Sequence, residues 1–249
     1  MPDAFYDALA PYYHLIYPDW EASSQRQSQA LAKVLAEFGV QPGNTVLDAA
    51  AGTGTQALGL AAAGYEMTAS DVSDGAIERL SVEASRRGLA IDARVADLRT
   101  LSRTFSETFD AVLACDNAVP HLLTDFEIVT AFGECRKCLR TRGVLILSVR
   151  DYAAIERKSP DVRPYGSRVQ GERRFTAEQV WMWDGDRYDV SLNLIEEAPG
   201  EAPQHHVFRT RYYAVTIDRL LELLVDGGFT CVERRDGAFF QPLVLGVAT

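Results

Sequence analysis

Cysteine is scarce. Cys115, Cys135, Cys138 and Cys231 are the only thiols in 249 residues, too few and too scattered for a disulfide framework. Only Cys135 and Cys138 are close. Their spacing puts both on one face of a helix, with no second Cys or His pair to complete a tetrahedral zinc site, so no metal is expected. Long apolar runs are also missing: none approaches the length needed to cross a bilayer. The opening Met1-Pro2-Asp3-Ala4-Phe5 has no basic segment ahead of an apolar one, which leaves a cytoplasmic protein with no membrane partner as the expectation. Positive charge is in deficit, 25 Lys and Arg against 35 Asp and Glu for a net charge of -10. That balance argues against a nucleic-acid partner. The densest basic group, Arg168, Arg173 and Arg174, is interrupted by Glu172 and reads as a solvated face. Internal repeats and low-complexity segments are absent.

What is present is enough apolar sequence, 47% of residues, to bury a full core in one large domain. Its most informative stretch is Val46-Leu47-Asp48-Ala49-Ala50-Ala51-Gly52-Thr53-Gly54-Thr55-Gln56-Ala57. An apolar pair and an acid lead into two glycines and an alanine-rich run, the pattern of a strand, a tight turn and a helix start. Glycine lets such a turn approach a ligand closely, and the amides of the following helix N-terminus favour a polar ligand.

Ahead of the turn, Phe5 to Gln25 holds Phe5, Tyr6, Tyr12, Tyr13, Tyr17 and Trp20, broken by Pro11 and Pro18. This cannot be one helix and reads as a short helix plus an aromatic arm. Leu31, Val34, Leu35 and Phe38 then mark an amphipathic helix closed by Gly39.

Beyond the turn, a strand at Glu66 to Ser70 delivers Asp71, about twenty residues from Gly52, where an acid reaches ribose hydroxyls in dinucleotide-type halves. A helix N-cap or turn role is the alternative for Asp71. Ser73 to Arg87 reads as a helix, Ile91 to Ala96 as a third strand ending at Asp97-Leu98, and Phe109 to Cys115 as a buried parallel strand. Asp116, Asn117 and His121 follow it. Thr124 to Leu139 is expected to be helical with Phe126, Val129 and Phe132 inward, and Val144 to Val149 is a fifth strand running into Arg150. Ligands bind at this edge in open α/β sheets. Between about 153 and 215 the pattern changes to period two (Val180, Met182; Val190, Leu192, Leu194; Val207, Arg209, Arg211, Tyr213), an antiparallel insertion that either caps the active edge or makes a homo-oligomer contact. A helix capped by Thr216 and two strands, Cys231 to Arg235 and Leu243 to Val247, finish the chain. The expected fold is therefore α/β: a Rossmann-like, doubly wound, mostly parallel seven-stranded sheet with a C-terminal antiparallel hairpin and an inserted antiparallel β subdomain. The expected division is an arm or lid over 1-30, a main domain over 31-152 and 216-249, and the insertion over 153-215.

Asp48 with Gly52-x-Gly54, Asp71, Asp97-Leu98 and the closing hairpin together resemble the class I S-adenosylmethionine-dependent methyltransferases. The resemblance implies S-adenosyl-L-methionine as cofactor. It implies that Asp48 and the nearby backbone, from Ala50 to Gly52 and Gly54, hold the methionine amino group. It further implies that Asp71, with Val72 beside it, holds the ribose, and that Asp97 and Leu98 frame the adenine, with Cys115 at the neighbouring strand end. Within that class, Cys115 to Leu122 followed by Val149 to Tyr152, the aromatic arm and Arg211-Tyr212-Tyr213 look like the glycine and sarcosine N-methyltransferases. This narrower likeness implies that Asn117 and Arg150 hold a substrate carboxylate, that Tyr17 and Arg26 enclose the cofactor, and that Tyr212 or Tyr213 lines the acceptor pocket. His121 is either a base or a structural histidine. Two departures stand out: Asp116 where the family more often has a small residue, and Ala118 where it has a small hydroxyl residue. A carboxylate there either favours a cationic acceptor group or reshapes the site.

An Arg suits this assignment, because its guanidinium makes bidentate, charge-assisted pairs with carboxylates. Other readings are a natural-product O- or N-methyltransferase, a nicotinamide-dinucleotide oxidoreductase, and a non-catalytic cofactor-binding module. Asp48 opposes the oxidoreductase, since a carboxylate just before the turn would repel a pyrophosphate and attract an ammonium.

Overall fold

A computed structural model describes residues 2–249. Seven strands form the main sheet: β1 (Thr45–Asp48), β2 (Glu66–Asp71), β3 (Ile91–Val95), β4 (Phe109–Ala114), β5 (Leu139–Ser148), β10 (Phe229–Arg235) and β11 (Leu243–Ala248). Their order is β3-β2-β1-β4-β5-β11-β10. β1 pairs in parallel with β2 on one side and β4 on the other, so the strand order reverses at β1. The crevice beyond the carboxyl ends of β1 and β4 is the ligand position in such sheets. β11 runs antiparallel to both β5 and β10, as the turn near Asp236-Gly237 leads one to expect.

Helices cover both faces. α2 (Trp20–Glu37), α3 (Ala57–Ala62) and α4 (Asp74–Arg86) lie on one side, where Leu31, Leu35, Leu60 and Leu80 share a core with Val46 and Leu113 of the sheet. α5 (Asp125–Lys137) and α6 (Ile217–Asp226) lie on the other, with Phe132, Leu220 and Leu224 against Val112 and Leu145. Four α-helix starts carry a side-chain cap: Asp19 accepts from the Ala22 amide, Ser73 from Ala76, Thr124 from Glu127, and Thr216 from Arg219, each satisfying one amide that the helix itself leaves unpaired. Ser73, not Asp71, is thus the cap of α4. One inward assignment on α5 is corrected. Phe126 is 81% exposed, because the inward stripe runs through Ile128, Ala131, Phe132 and Cys135.

The insertion is a four-stranded antiparallel sheet, β6 (Asp161–Gln170), β7 (Arg173–Asp184), β8 (Arg187–Glu197) and β9 (Gln204–Tyr213), paired in chain order. Val190, Leu192 and Leu194 of β8 are buried, but Met182 and Val207 are about half exposed. The buried residues of β7 and β9 are Phe175, Ala177, Trp181, Phe208 and Tyr212. The arm begins as α1 (Pro2–Leu9) and continues through a single 3-10 turn at Tyr13–Ile16. Phe5, Leu9 and Leu15 pack against Phe175, Leu192, Leu194 and Phe208, so the arm is fastened to the second sheet by a small apolar core of its own.

Candidate active site

α2 buttresses the glycine turn from behind. Trp20 Nε1 donates to Thr55 Oγ1 at 2.9 Å, Ser24 Oγ to the Thr55 carbonyl at 2.6 Å, and Gln56 Nε2 to Gln27 Oε1 at 2.7 Å. The turn's two glycines have different tasks. At Gly54 (φ +95) a Cβ would meet Leu58 and Leu80 at 3.0 Å, so this glycine serves the packing of α3 on α4. At Gly52 (φ +52) a Cβ would meet nothing within 4 Å, and the residue lines a cavity of about 430 Å³. A side chain there would stand in the ligand space.

That cavity is walled by Ala49 to Gly52 after β1, Asp71 and Val72 after β2, Asp97 and Leu98 after β3, and Cys115 and Asp116 after β4, with Tyr6 and Tyr13 of the arm closing it. Asp71 bridges the turn to α4, accepting from the Gly52 amide at 2.9 Å and the Ser73 amide at 3.0 Å. Burial raises its pKa despite those bonds. Burial works in the same direction on Asp97, but the Arg99 guanidinium and amide outweigh it and hold that carboxyl below its ordinary range. Burial raises the Cys115 thiol well above its usual value, with Asp48 adding to the rise, so the thiol stays protonated and inert.

Asp48 is fully buried, and neither carboxylate oxygen has a hydrogen-bond partner among the described residues. The amides of Ala50 and Ala57 face it without closing a hydrogen bond. Burial first, and the negative Asp71 second, push its pKa up from 3.8 to about 7. It does not line the cavity itself but sits behind the Ala49–Gly52 wall, through which its charge acts at low dielectric. An orphaned carboxylate behind a glycine-lined cavity suits a ligand with a cationic chain and a ribose. S-adenosylmethionine, an ammonium and a sulfonium on a nucleoside, fits those residues; a pyrophosphate does not.

A second cavity, of about 560 Å³, adjoins the first. Tyr6, Tyr13 and Asp116 line both, so the two meet at a neck made by these side chains. The second is completed by Tyr17 of the arm, Arg150 after β5, and Arg163, Tyr165, Gln179 and Tyr212 of the insertion. Arg150 lies 5.3 Å from the Trp181 ring and 5.9 Å from that of Tyr212. Its guanidinium has no hydrogen bond or ion pair among the described residues; only its backbone amide and carbonyl are hydrogen-bonded. Burial pulls its pKa down, but Tyr152, Tyr188, Tyr212 and Asp116 together hold it well above the ordinary value. It stays charged and faces the cavity without an ion-pair partner among the described residues.

Three assigned residues stand elsewhere. Asn117 lines neither cavity. It adopts φ +67 and is 1% exposed, and this left-handed turn sends its side chain under the sheet edge. There its Nδ2 donates to the Tyr152 hydroxyl at 2.8 Å and its Oδ1 accepts from the Arg150 amide at 3.1 Å. Asn117 thus holds the Arg150 backbone from outside both cavities. Asn117→Ala is expected to cost about 1–3 kcal/mol by leaving the Arg150 amide and the Tyr152 hydroxyl short of a partner, measured by chemical denaturation. Arg26 is on the exposed face of α2, donating to Ser23 Oγ at 2.9 Å. Tyr213 points away on β9 and donates to Asp125 at 2.9 Å. Its neighbour Tyr212 does line the second cavity, while Tyr17 lines that cavity and not the first.

His121 lies in the wall of the first cavity. Its Nε2 meets the Tyr6 hydroxyl at 2.9 Å, its Nδ1 the Thr210 hydroxyl at 3.4 Å, and its ring centre is 4.2 Å from that of Tyr212. Burial, with Arg150 second, lowers its pKa to about 3. It is a neutral hydrogen-bonding post, too weak a base to carry a proton. Tyr6, Trp181 and Gln179 were missed in the sequence; the density of aromatic residues in the arm was the signal for Tyr6, and nothing in the pattern of β7 marked the other two.

Comparison with known proteins agrees with this geometry. The family described as a methyltransferase domain matches residues 46–143. A glycine/sarcosine N-methyltransferase of Aphanothece halophytica is 25% identical over 85% of the chain and 74% of its own length. Another, of Parasynechococcus marenigrum, is 31% identical over 54% of the chain; the match spans 46% of that relative, less than half its length. Among solved structures, an S-adenosylmethionine-bound amino pentose methyltransferase from Micromonospora echinaspora has a TM-score of 0.76 at 16% identity, covering 91% of this chain and 92% of its own. At that identity the likeness speaks for the fold alone. The domain match over the glycine turn, and relatives named for methyl transfer along most of the chain, make this protein a class I S-adenosylmethionine-dependent methyltransferase.

Proposed function

We propose that the enzyme N-methylates a small amino acid, with glycine and sarcosine as the first acceptors to test. The observation that carries this reading is the Arg150 guanidinium, half-buried, charged and without an ion-pair partner among the described residues, in a cavity that shares its neck with the donor cavity. Two planar donors side by side suit a carboxylate, which they bind bidentately. The relatives named glycine/sarcosine N-methyltransferase support the same acceptor class.

The cofactor, when bound, supplies an electrophilic methyl group on a sulfonium. The chain's residues do the rest by placement. The Ala49–Gly52 wall, with Asp48 behind it, would hold the methionine end, Asp71 the ribose, and Asp97 with Leu98 the adenine. Arg150 would anchor the acceptor carboxylate, its position fixed by Asn117. Tyr6, Tyr13, Tyr17 and Tyr212 exclude water, which favours the uncharged, nucleophilic amine. Alignment of this kind supplies about 7–11 kcal/mol in well-oriented intramolecular reactions, so no covalent nucleophile is needed.

A second reading is an amine on a larger, sugar-like acceptor. It is favoured by the aromatic lining and by the volume of about 560 Å³, more than glycine fills. One assay separates the two: transfer of a labelled methyl group to glycine, sarcosine, dimethylglycine and a nucleotide-linked amino sugar, with the product located by mass spectrometry. Turnover of glycine or sarcosine is the expected result. Turnover of the amino sugar alone would replace the first reading by the second.

A further inference from the structure

We propose that Asp116 is the amine subsite of the acceptor cavity and the residue that makes the enzyme select amines. This rests on the acceptor reading above but concerns the amine, where Arg150 concerns the carboxylate.

The first observation is place. Asp116 lines both cavities at the neck where they meet, and any atom that receives the methyl group must stand there. The second is the state of its carboxylate. Oδ2 accepts from the Tyr17 hydroxyl at 2.9 Å and from the Tyr13 hydroxyl at 3.3 Å. Oδ1 has no hydrogen bond among the described residues, nor does the carboxylate have a salt bridge, which leaves one oxygen for a cation.

The third is the backbone. Asp116 and Asn117 adopt φ +55 and +67 in succession, a conformation that glycine takes without cost and other residues take rarely. It is held from below, where the Asp116 amide donates to Ser148 Oγ at 2.7 Å and that hydroxyl donates to Gln241 at 3.0 Å. Left-handed non-glycine residues that persist under such restraint cluster at functional sites. Last, Asp116 and Arg150 place opposite charges in one cavity, an arrangement that matches a zwitterion lying with its ammonium at the neck and its carboxylate inward.

The amine therefore arrives in its protonated form beside Asp116. It gives up one proton to bulk solvent on entering the site, its lone pair forms the N–C bond as the C–S bond of the donor breaks toward sulfur, and the methylated product is again a cation beside the same carboxylate. An alcohol offers no positive charge at this point and is discriminated against.

The test uses wild type, Asp116→Asn, Asp116→Gly and Arg150→Ala, each saturated with S-adenosylhomocysteine. Methylammonium is the probe for the amine subsite and acetate for the carboxylate subsite, their affinities being measured by ligand-observed NMR. Asparagine and glycine both tolerate the left-handed backbone, so both variants are expected to unfold no earlier than wild type. Methylammonium is expected to bind about tenfold or more weakly to both Asp116 variants, with acetate unchanged, and Arg150→Ala is expected to do the reverse. Equal methylammonium affinity in wild type and Asp116→Asn, including none in either, would overturn the proposal. Failure of the amino-acid reading shows separately: methylammonium still depends on Asp116, but neither glycine nor sarcosine is methylated.

Discussion

Replacing Asp48 by asparagine is expected to make the donor-free protein more stable at pH 8 and, at the same time, a poor binder of S-adenosylmethionine. The first half follows from linkage. The unfolded carboxyl loses its proton near 3.8 and the folded one near 7. Between those values the folded chain holds a proton that the unfolded chain has released, so stability falls as pH rises from about 4 to about 7 and is level above that range. At about 1.4 kcal/mol per pH unit the loss is on the order of 4 kcal/mol. Asparagine removes it but leaves its own amide short of partners, which returns about 1–3 kcal/mol. The net gain at pH 8 is expected to be about 1–3 kcal/mol, some 2–4 °C per kcal/mol in a chain of this size. At pH 5 the wild-type carboxyl is already protonated and the gain disappears. Calorimetric melts of both proteins at the two pH values measure this; an equal effect at pH 5 and pH 8 would show that the charge is not the cause.

The second half follows from the field. Two opposite charges separated by about one peptide layer, at an effective dielectric of about 20, interact by on the order of 3 kcal/mol. Donor affinity in Asp48→Asn is therefore expected to fall by ten- to a hundredfold, as titration calorimetry would report. Wild-type affinity should also weaken as pH drops through about 7, where the carboxyl takes up its proton. Unchanged affinity in the variant would move the methionine end of the donor away from this wall.

Arg150→Ala is the second large effect, and it should split the two substrates. A charge-assisted pair to the acceptor carboxylate is worth about 1.5–3 kcal/mol, which raises the acceptor KM by about ten- to a hundredfold. Donor Kd should stay within about twofold, because Arg150 does not line the donor cavity. Arg150→Lys keeps the charge but loses the planar fork and its stacking over Trp181 and Tyr212, so its KM should fall between the two. Equal loss of donor and acceptor affinity would mean that the guanidinium braces the whole site.

How far the sequence reaches can be seen residue by residue. Asp48, Gly52, Asp71 and Asp97 were legible because strand-turn-helix grammar fixes them: each stands at the carboxyl end of a strand, where the apolar run stops and the ligand edge begins. Arg150 was legible for the same reason. Asn117 was not, because its direction depends on two successive left-handed residues, and nothing in Asp116-Asn117-Ala118 announces that φ is positive. Phe126 misled through helical phase, since α5 turns its first aromatic outward and uses Ile128 and Phe132 instead. In the insertion, the apolar residues of β7 and β9 alternate on both faces. Period two was visible there, but which face meets the cavity was set by partners far away in the chain, among them the arm's Phe5 and Leu9. Tyr17 just precedes α2 and Arg26 lies within it, and only the packing shows that the first reaches a cavity and the second reaches water.

The arm is two-sided. Asp3 and Tyr6 wall the donor cavity, while Phe5 and Leu9, from the same two turns of α1, wall the acceptor cavity. The whole segment is clipped to the start of α4 by Asp7, which accepts from Ser73 Oγ at 2.6 Å and from the Gly75 amide at 3.0 Å. A single short segment thus forms part of the wall of both cavities, so a substitution that loosens α1 reaches both at once.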